Sequence, residues 1–152
     1  MTKSRPSKPL PEVFEFLVED WAFGYGLYLH PDSRHDKCWD HMSFTLLGRL
    51  VTRTHRKLER IELRVYGDSR EPSKWTPEWK AIGAVYSVQK AILTASVHIP
   101  PAPFDKLFAA VAASKVGAAE ISILEFKRNF GRVMNASFHE KPSEETYGGA
   151  VA

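Results

Sequence analysis

Period-two alternation of apolar residues recurs along most of this chain, and it constrains the fold more than any other feature. The first run covers 13–19, where Phe14, Phe16 and Val18 share one face. Further runs follow at 23–29, 42–50, 61–65, 82–88 and 93–99, and two more form a predicted hairpin at 120–139 around a turn at 127–131. Because successive side chains of a strand point to opposite faces, each run predicts a strand with one buried face. Residues 30–40 lie between two runs and are predicted to form a loop.

The segment 41–66 fits two secondary structures. As strands, it places Met42, Phe44, Leu46, Gly48 and Leu50 on one face, followed by Ile61, Leu63 and Val65. As a helix, it places Leu47, Val51, Thr54, Leu58, Ile61 and Val65 on a heptad-like seam. Its β-branched residues and the internal Gly48 favour a hairpin, although the turn expected at 53–57 lacks Gly and Pro.

One segment has helical periodicity. Its apolar stripe consists of Phe104, Leu107, Phe108, Val111 and Ala112. Three prolines at 100–103 are compatible with a helix start, and Gly117 with a stop. A helix over about 103–114 is too short to be stable alone, so it must pack against a sheet.

Together these elements predict an α+β domain that is mostly antiparallel β. We expect a β-sandwich or a curled antiparallel sheet of about seven strands with one main helix. The globular domain should cover 12–139, between a mobile leader at 1–11 and a flexible tail at 140–152. The terminal strands 13–19 and 132–139 are predicted sheet edges.

Cysteine content and hydropathy limit the class of protein. A single cysteine excludes an intrachain disulfide. No apolar run reaches the roughly 20 residues of a membrane-spanning helix, and the N-terminal residues lack a signal-peptide pattern. A soluble, cytoplasmic protein is therefore expected, with no membrane partner.

The net charge of +3 comes entirely from Lys3, Arg5 and Lys8, since the rest of the chain holds 18 basic and 18 acidic residues. A neutral body argues against a dedicated nucleic-acid-binding domain. Basic residues nevertheless cluster locally. The candidate nucleic-acid contacts are Arg49, Arg53, Arg56 and Lys57, and a second small group is Lys127, Arg128 and Arg132.

The segment 30–41 is dense in side chains that can bind metals. The natural set for zinc is His30, His35, Cys38 and His41. No paired Cys-x-x-Cys or His-x-x-x-His spacing accompanies them, so a polar loop with solvated histidines is the favoured interpretation. Zinc is the one cofactor that the sequence suggests.

Aromatic residues are dense at 21–28, and large aromatics are expected to fill the core more often than to bind a ligand. The tryptophans of the predicted loops are candidate ligand contacts, because exposed aromatics form stacking platforms. These are Trp39, Trp75 and Trp79. No Gly-x-Ser-x-Gly, Walker, Gly-x-Gly-x-x-Gly or His-Glu-x-x-His pattern is present, so no catalytic residue is assigned.

These observations favour a non-enzymatic binding or assembly module that forms a homodimer, with strand 132–139 as the expected interface. Its ligand, whether protein or small molecule, is open. A metal-binding protein or metal-dependent enzyme using 30–41 is the alternative, and a nucleic-acid-binding accessory protein is the third hypothesis.

Overall fold

The computed structural model describes residues 10–29, 38–54, 56–67 and 81–140, without the side chains of 28–29 and 38–41. These residues form seven strands and one helix. The strands are β1 (Glu12–Leu29), β2 (Cys38–Leu50), β3 (Arg60–Gly67), β4 (Gly83–Gln89), β5 (Ile92–Ile99), β6 (Ala118–Lys127) and β7 (Phe130–His139), and the helix is α1 (Pro101–Ala112).

The seven strands close into one barrel in the order β1-β2-β3-β5-β4-β7-β6. β3 and β5 are parallel, and every other neighbouring pair is antiparallel. The prediction of a mostly β protein with about seven strands and one helix is confirmed. The predicted sandwich or curled open sheet is replaced by a barrel, because β1 pairs with β2 on one side and with β6 on the other.

The segment 41–66 forms two strands, so the hairpin prediction is confirmed and the helical alternative is wrong. Gly48 explains part of this outcome, because a Cβ there would lie 2.4 Å from Cδ2 of Phe16. The connection 51–59 needs no tight turn, since the Leu50 amide donates to the Glu59 carbonyl at its base (2.9 Å). It is also held by Thr52, whose Oγ1 accepts a hydrogen bond from the Glu15 amide (2.7 Å).

The inward alternation predicted for 82–88 is wrong in its central part. Val85 is completely buried, whereas Tyr86 is 48% exposed. The register with β5 shifts between Val85 and Ser87, so Tyr86 lies at a bulge and points outward. A bulge inserts one residue and moves the following side chains to the other face.

The strands predicted as sheet edges have neighbours on both sides over part of their length. Glu12–Leu17 pairs with β6, and β1 pairs with β2 from Phe16 onward. The segment 132–139 pairs with β6, and Arg132 and Val133 also pair with β4. Barrel closure therefore gives Arg132 and Val133 a neighbour on each side, whereas 134–139 pairs with β6 alone among the described residues. The predicted dimer interface at 132–139 stays a prediction.

Helix α1 lies across one end of the barrel, because it connects the end of β5 to the start of β6. Its side chains Phe104 and Val111 are buried in the core. No helix in the described part of the chain is long and apolar enough to span a membrane. We call this end of the barrel the helix end, and the opposite end, with the connection 51–59 and the turns 90–91 and 128–129, the turn end.

Candidate functional site

β1 and β2 extend beyond the barrel wall at the helix end. β6 pairs with β1 only as far as Leu17, and β3 pairs with β2 only from Met42 onward. β1 and β2 nevertheless remain paired to Leu29 and Cys38. We call residues 20–29 with their partners 38–47 the ribbon.

A bulge sets which side chains the ribbon exposes. The β1–β2 register shifts between Val18 and Asp20. Beyond it, Phe23 pairs with the fully buried Phe44, and directly opposite residues of an antiparallel pair lie on the same face. The odd-numbered side chains therefore continue the inner face of the barrel into solvent. This apolar ribbon face consists of Trp21, Phe23, Tyr25 and Leu27.

Exposure rises along the apolar ribbon face as it leaves the barrel. Trp21 is partly buried against the core, whereas Phe23, Tyr25 and Leu27 are 48%, 56% and 63% exposed. Three neighbouring large apolar side chains exposed on one face differ from the singly scattered residues of an ordinary surface.

Helix α1 supports the base of the ribbon. The ring of Phe108 lies 4.9 Å from that of Phe23 and 6.1 Å from those of Trp21 and Phe44, measured between centroids. Phe104 packs beneath it, 5.5 Å from Phe44. The base is thus fixed by aromatic packing, while the face beyond Phe23 is left open to solvent.

A cleft of about 270 Å³ lies where β1 separates from β6. One side is formed by β1, with Val18, Glu19, Asp20 and Trp21. The other side is formed by Val111 of α1 and by Ser114, Val116 and Gly117, which follow the helix. The cleft therefore lies at the start of the β1 edge that β6 leaves unpaired, next to the apolar ribbon face.

Arg56 holds the turn end together. Its Nη2 donates to Oε1 of Glu12 (2.9 Å) and to the Phe126 carbonyl (2.7 Å), and its Nε donates to Oε2 of Glu12 (3.2 Å). The guanidinium carbon lies 3.9 Å from the centroid of the Phe126 ring, a cation–π arrangement. Arg56 thereby joins the connection 51–59 to β1 and β6.

The fold brings the two basic groups of the sequence to this turn end. The connection 51–59 contacts the 90–91 turn, since the Glu59 amide donates to the Ala91 carbonyl (2.8 Å), and Arg56 ties it to β6. The exposed basic residues are Arg53, Lys57, Lys90, Lys127 and Arg128. We call them the basic cluster. Glu59 and Glu125 are exposed nearby and reduce its net charge.

A third polar group lies on the outer wall of β3 and β5. Arg64 Nη1 donates to the Tyr66 hydroxyl (3.3 Å), and this bond raises the pKa of the guanidinium. The Tyr66 ring stacks on His98 with 4.9 Å between centroids. The stacking follows from the parallel register, in which Tyr66 and His98 are partners.

The sequence-predicted site residues have different outcomes. His30, His35, Trp75 and Trp79 lie outside the described residues. Cys38, Trp39 and His41 belong to β2, where they pair with Leu29, Tyr28 and Gly26, but their side chains are not described. No three His, Cys, Asp or Glu side chains of the described part gather into a metal site. The zinc and tryptophan sites therefore stay predictions.

The candidate nucleic-acid residues divide into two kinds. Arg49, Arg53 and Lys57 are exposed, whereas Arg56 is committed to Glu12 and Phe126. The guanidinium of Arg56 therefore stabilises the barrel, and we do not include it among the residues that could contact a nucleic acid.

Sequence reasoning expected the aromatics of the apolar ribbon face to fill the core, and it did not predict the exposure of Phe23 and Tyr25. The available signal was Trp21–Leu29, nine residues without a charge, in which large side chains alternate with Ala22, Gly24 and Gly26. The alternation predicts a strand, but the length of the barrel wall decides which part of it is covered.

Comparison with known proteins finds no matching family model and no significant match among curated proteins or solved structures. The functional argument therefore depends on the surfaces described above.

Proposed function

We propose that this protein is a non-enzymatic binding module that takes an extended polypeptide segment along the ribbon. The observation that carries the proposal is the exposure of Phe23, Tyr25 and Leu27 on one face of a strand. Within the described ranges, the last hydrogen bond on the β6 side of that strand is donated by the Val18 amide to the Gly117 carbonyl (2.9 Å), and the strand has no neighbour there from Trp21 onward.

Strand addition explains both features together. An extended segment that joins a sheet edge gains main-chain hydrogen bonds, and its alternate side chains supply specificity. On this ribbon the added strand would bring every second side chain against Phe23, Tyr25 and Leu27. Burial of apolar area contributes about 25 cal/mol per Å² of area removed from water, so apolar residues at those positions are favoured.

The test is selection of binding peptides from a displayed random library. We expect the wild-type protein to enrich sequences with alternating apolar residues. Their binding should be lost in the double variant Tyr25→Lys/Leu27→Lys, because charges would then line the face. Binding is measured by fluorescence anisotropy of labelled synthetic copies of the selected peptides.

The matched control is Tyr86→Lys/Phe130→Lys, which places two lysines at residues that are also exposed, 48% and 61%, but lie away from the ribbon. Peptides should bind this variant as they bind the wild type. Enrichment of no peptide, or of peptides that bind both double variants equally, would refute the ribbon as the binding surface.

A polyanion-binding function is the second candidate, and it is favoured by the basic cluster. Two basic groups that are separate in the sequence lie at one end of the barrel, beside the exposed Phe130. Cationic side chains that contact phosphates release counterions, so such binding weakens steeply with salt. A nearby aromatic ring can stack on an unpaired base.

This candidate is tested by titrating labelled single-stranded DNA at low salt. We expect binding that falls with increasing salt and is weakened in Lys127→Glu/Arg128→Glu. Lys106→Glu/Lys115→Glu is the control, because both lysines are exposed at the helix end. Absence of binding at low salt, or equal loss in both variants, would exclude a specific role for the basic cluster.

A further inference from the structure

The ribbon edge lacks the protection that exposed strands ordinarily carry. Natural edges are blunted by charged residues, proline or a covering element. Trp21–Leu29 contains no charge and no proline, and among the described residues β6 covers β1 only up to Leu17. An edge of this composition is therefore a favourable site for pairing with a further strand.

The ribbon is complementary to itself. If two copies pair antiparallel about a twofold axis at Gly24, Phe23 of each lies opposite Tyr25 of the other, and Trp21 lies opposite Leu27. This register maps the whole apolar ribbon face onto itself. Directly opposite residues share a face, so all eight side chains would meet on one side of the joined sheet.

Charge and backbone also suit this register. The nearest acidic residue, Asp20, would lie opposite position 28 of the other copy, so no two carboxylates are brought face to face. Gly24 at the axis adds no side chain to the opposite face of the joined sheet. Like charges placed directly opposite each other would destabilise a strand pair. The β1 part of the ribbon contains no charged residue from Trp21 to Leu29.

We infer that the segment bound by the ribbon is the ribbon of a second copy, paired antiparallel about Gly24. This inference rests on the function proposed above and names its partner. The resulting interface is isologous, as a twofold axis requires, and it joins the two barrels through a continuous sheet across their β1 strands.

The area predicts a dissociable dimer. An aromatic side chain buries about 150–250 Å², so the exposed parts of Phe23, Tyr25 and Leu27 amount to roughly 300 Å² per copy. Two copies would bury roughly 600 Å² of these side chains, about half of the ~1,200 Å² at the lower limit of stable interfaces. The backbones and Trp21 add to it. We therefore expect monomer–dimer exchange in the micromolar range.

The first experiment measures mass against concentration by sedimentation and light scattering. The wild type should change from monomer to dimer as its concentration rises through the micromolar range. Tyr25→Lys/Leu27→Lys should remain monomeric at every concentration, and Tyr86→Lys/Phe130→Lys should dimerise as the wild type does. Circular dichroism checks that both variants are folded.

The second experiment tests the register by cross-linking, in a Cys38→Ser background that removes the native thiol. Gly24→Cys should form an intermolecular disulfide, because residues at the axis have Cα atoms about 4.5–5.5 Å apart. Gly24 accepts a Cβ, whose nearest neighbour would be the Ser43 hydroxyl at 3.2 Å. Ala22→Cys, the control, should not cross-link, since its copies would be offset by four residues, about 13 Å.

The outcomes separate this inference from the proposed function. A wild type that stays monomeric but binds ribbon-dependent peptides overturns the second copy as partner and leaves the binding module intact. A dimer unaffected by Tyr25→Lys/Leu27→Lys overturns the ribbon interface. A ribbon-dependent dimer in which Ala22→Cys cross-links and Gly24→Cys does not overturns the register. A wild type that neither binds peptides nor dimerises refutes both proposals.

Discussion

The two ends of the barrel expose the same inner face in different ways. At the turn end, Arg56 covers the Phe126 ring and pairs with Glu12. A charged side chain therefore separates this part of the apolar core from solvent. At the helix end, α1 covers the interior with Phe104 and Phe108, but β1 and β2 continue past it. The apolar face is thus sealed at one end and extended into solvent at the other.

The difference follows from strand length. At the turn end, two of the three connections are two-residue turns, at 90–91 and 128–129, and the third, 51–59, is hydrogen-bonded to β1 and to the 90–91 turn. β1 has 18 residues, whereas its neighbour β6 has 10, so β1 must leave the wall at one end. An amphipathic strand that is longer than its neighbour exposes its apolar face beyond the end of that neighbour. Because of this exposed face, the helix end is the better candidate for partner binding.

The largest effect is expected for the residue that closes the helix end. Phe104 is 2% exposed and packs against Phe44 and the Cα of Gly67, where a Cβ would lie 2.9 Å from its ring. Phe104→Ala should cost about 3–5 kcal/mol of unfolding free energy, from lost transfer energy and a cavity. Urea denaturation measures it. Phe130→Ala at the turn end should change stability little, because Phe130 is exposed.

A local effect is expected for Phe108, which supports the ribbon. Phe108→Ala should lower stability by about 2 kcal/mol and increase hydrogen exchange selectively at the amides of 20–29. Leu107→Ala is the matched control, because Leu107 also packs on the core but no ring contact links it to the ribbon. Equal exchange in the two variants would show that α1 does not support the ribbon.

Arg56 should contribute a smaller amount at the turn end. Arg56→Ala removes a partly exposed ion pair, a hydrogen bond to a carbonyl and a cation–π contact, for which we expect a loss of about 1–2 kcal/mol. Arg56→Lys should recover part of it, since an ammonium cannot donate to Glu12 and Phe126 in the same planar geometry. Full recovery by lysine would mean that charge alone matters there.

The smallest effect is a gain in stability at the turn end. Lys90 and Ala91 have φ of 51° and 64° in the β4–β5 turn, a region in which glycine is favoured over residues with a Cβ. Ala91→Gly should therefore stabilise the protein by about 0.5–1 kcal/mol. Ala84→Gly, within β4 where Ala84 pairs with both β5 and β7, should destabilise it instead. Thermal melts of the two variants compare them directly.

Much of the secondary structure could be predicted from the sequence. The alternation at 42–50, 61–65 and 93–99 correctly identifies buried faces, and the stripe beginning at Phe104 identifies α1 within two residues of each end. These predictions succeed because each depends on local periodicity, which the burial of one face imposes on a strand or helix wherever it lies in the fold.

The bulges at Glu19 and Tyr86 could not be predicted in the same way. A bulge changes which side chains face inward without changing the residue types, so 13–19 and 23–29 read as two separate strands. Barrel closure was equally hidden, because the sequence does not encode directly that β3 pairs in parallel with β5 while β4 pairs with β7. Such pairings are set by the packing of the whole sheet.

The sequence by itself determined that the chain forms amphipathic strands and one amphipathic helix, since alternation and spacing are properties of local geometry. Only the tertiary structure decided where each apolar face ends. The face of β1 is buried at Phe14 and Phe16 because the barrel closes around it. It is exposed from Phe23 to Leu27 because the pairing with β6 ends at Leu17. The same pattern of residues forms core in the first half and a binding surface in the second, since burial depends on neighbours that are distant in the chain.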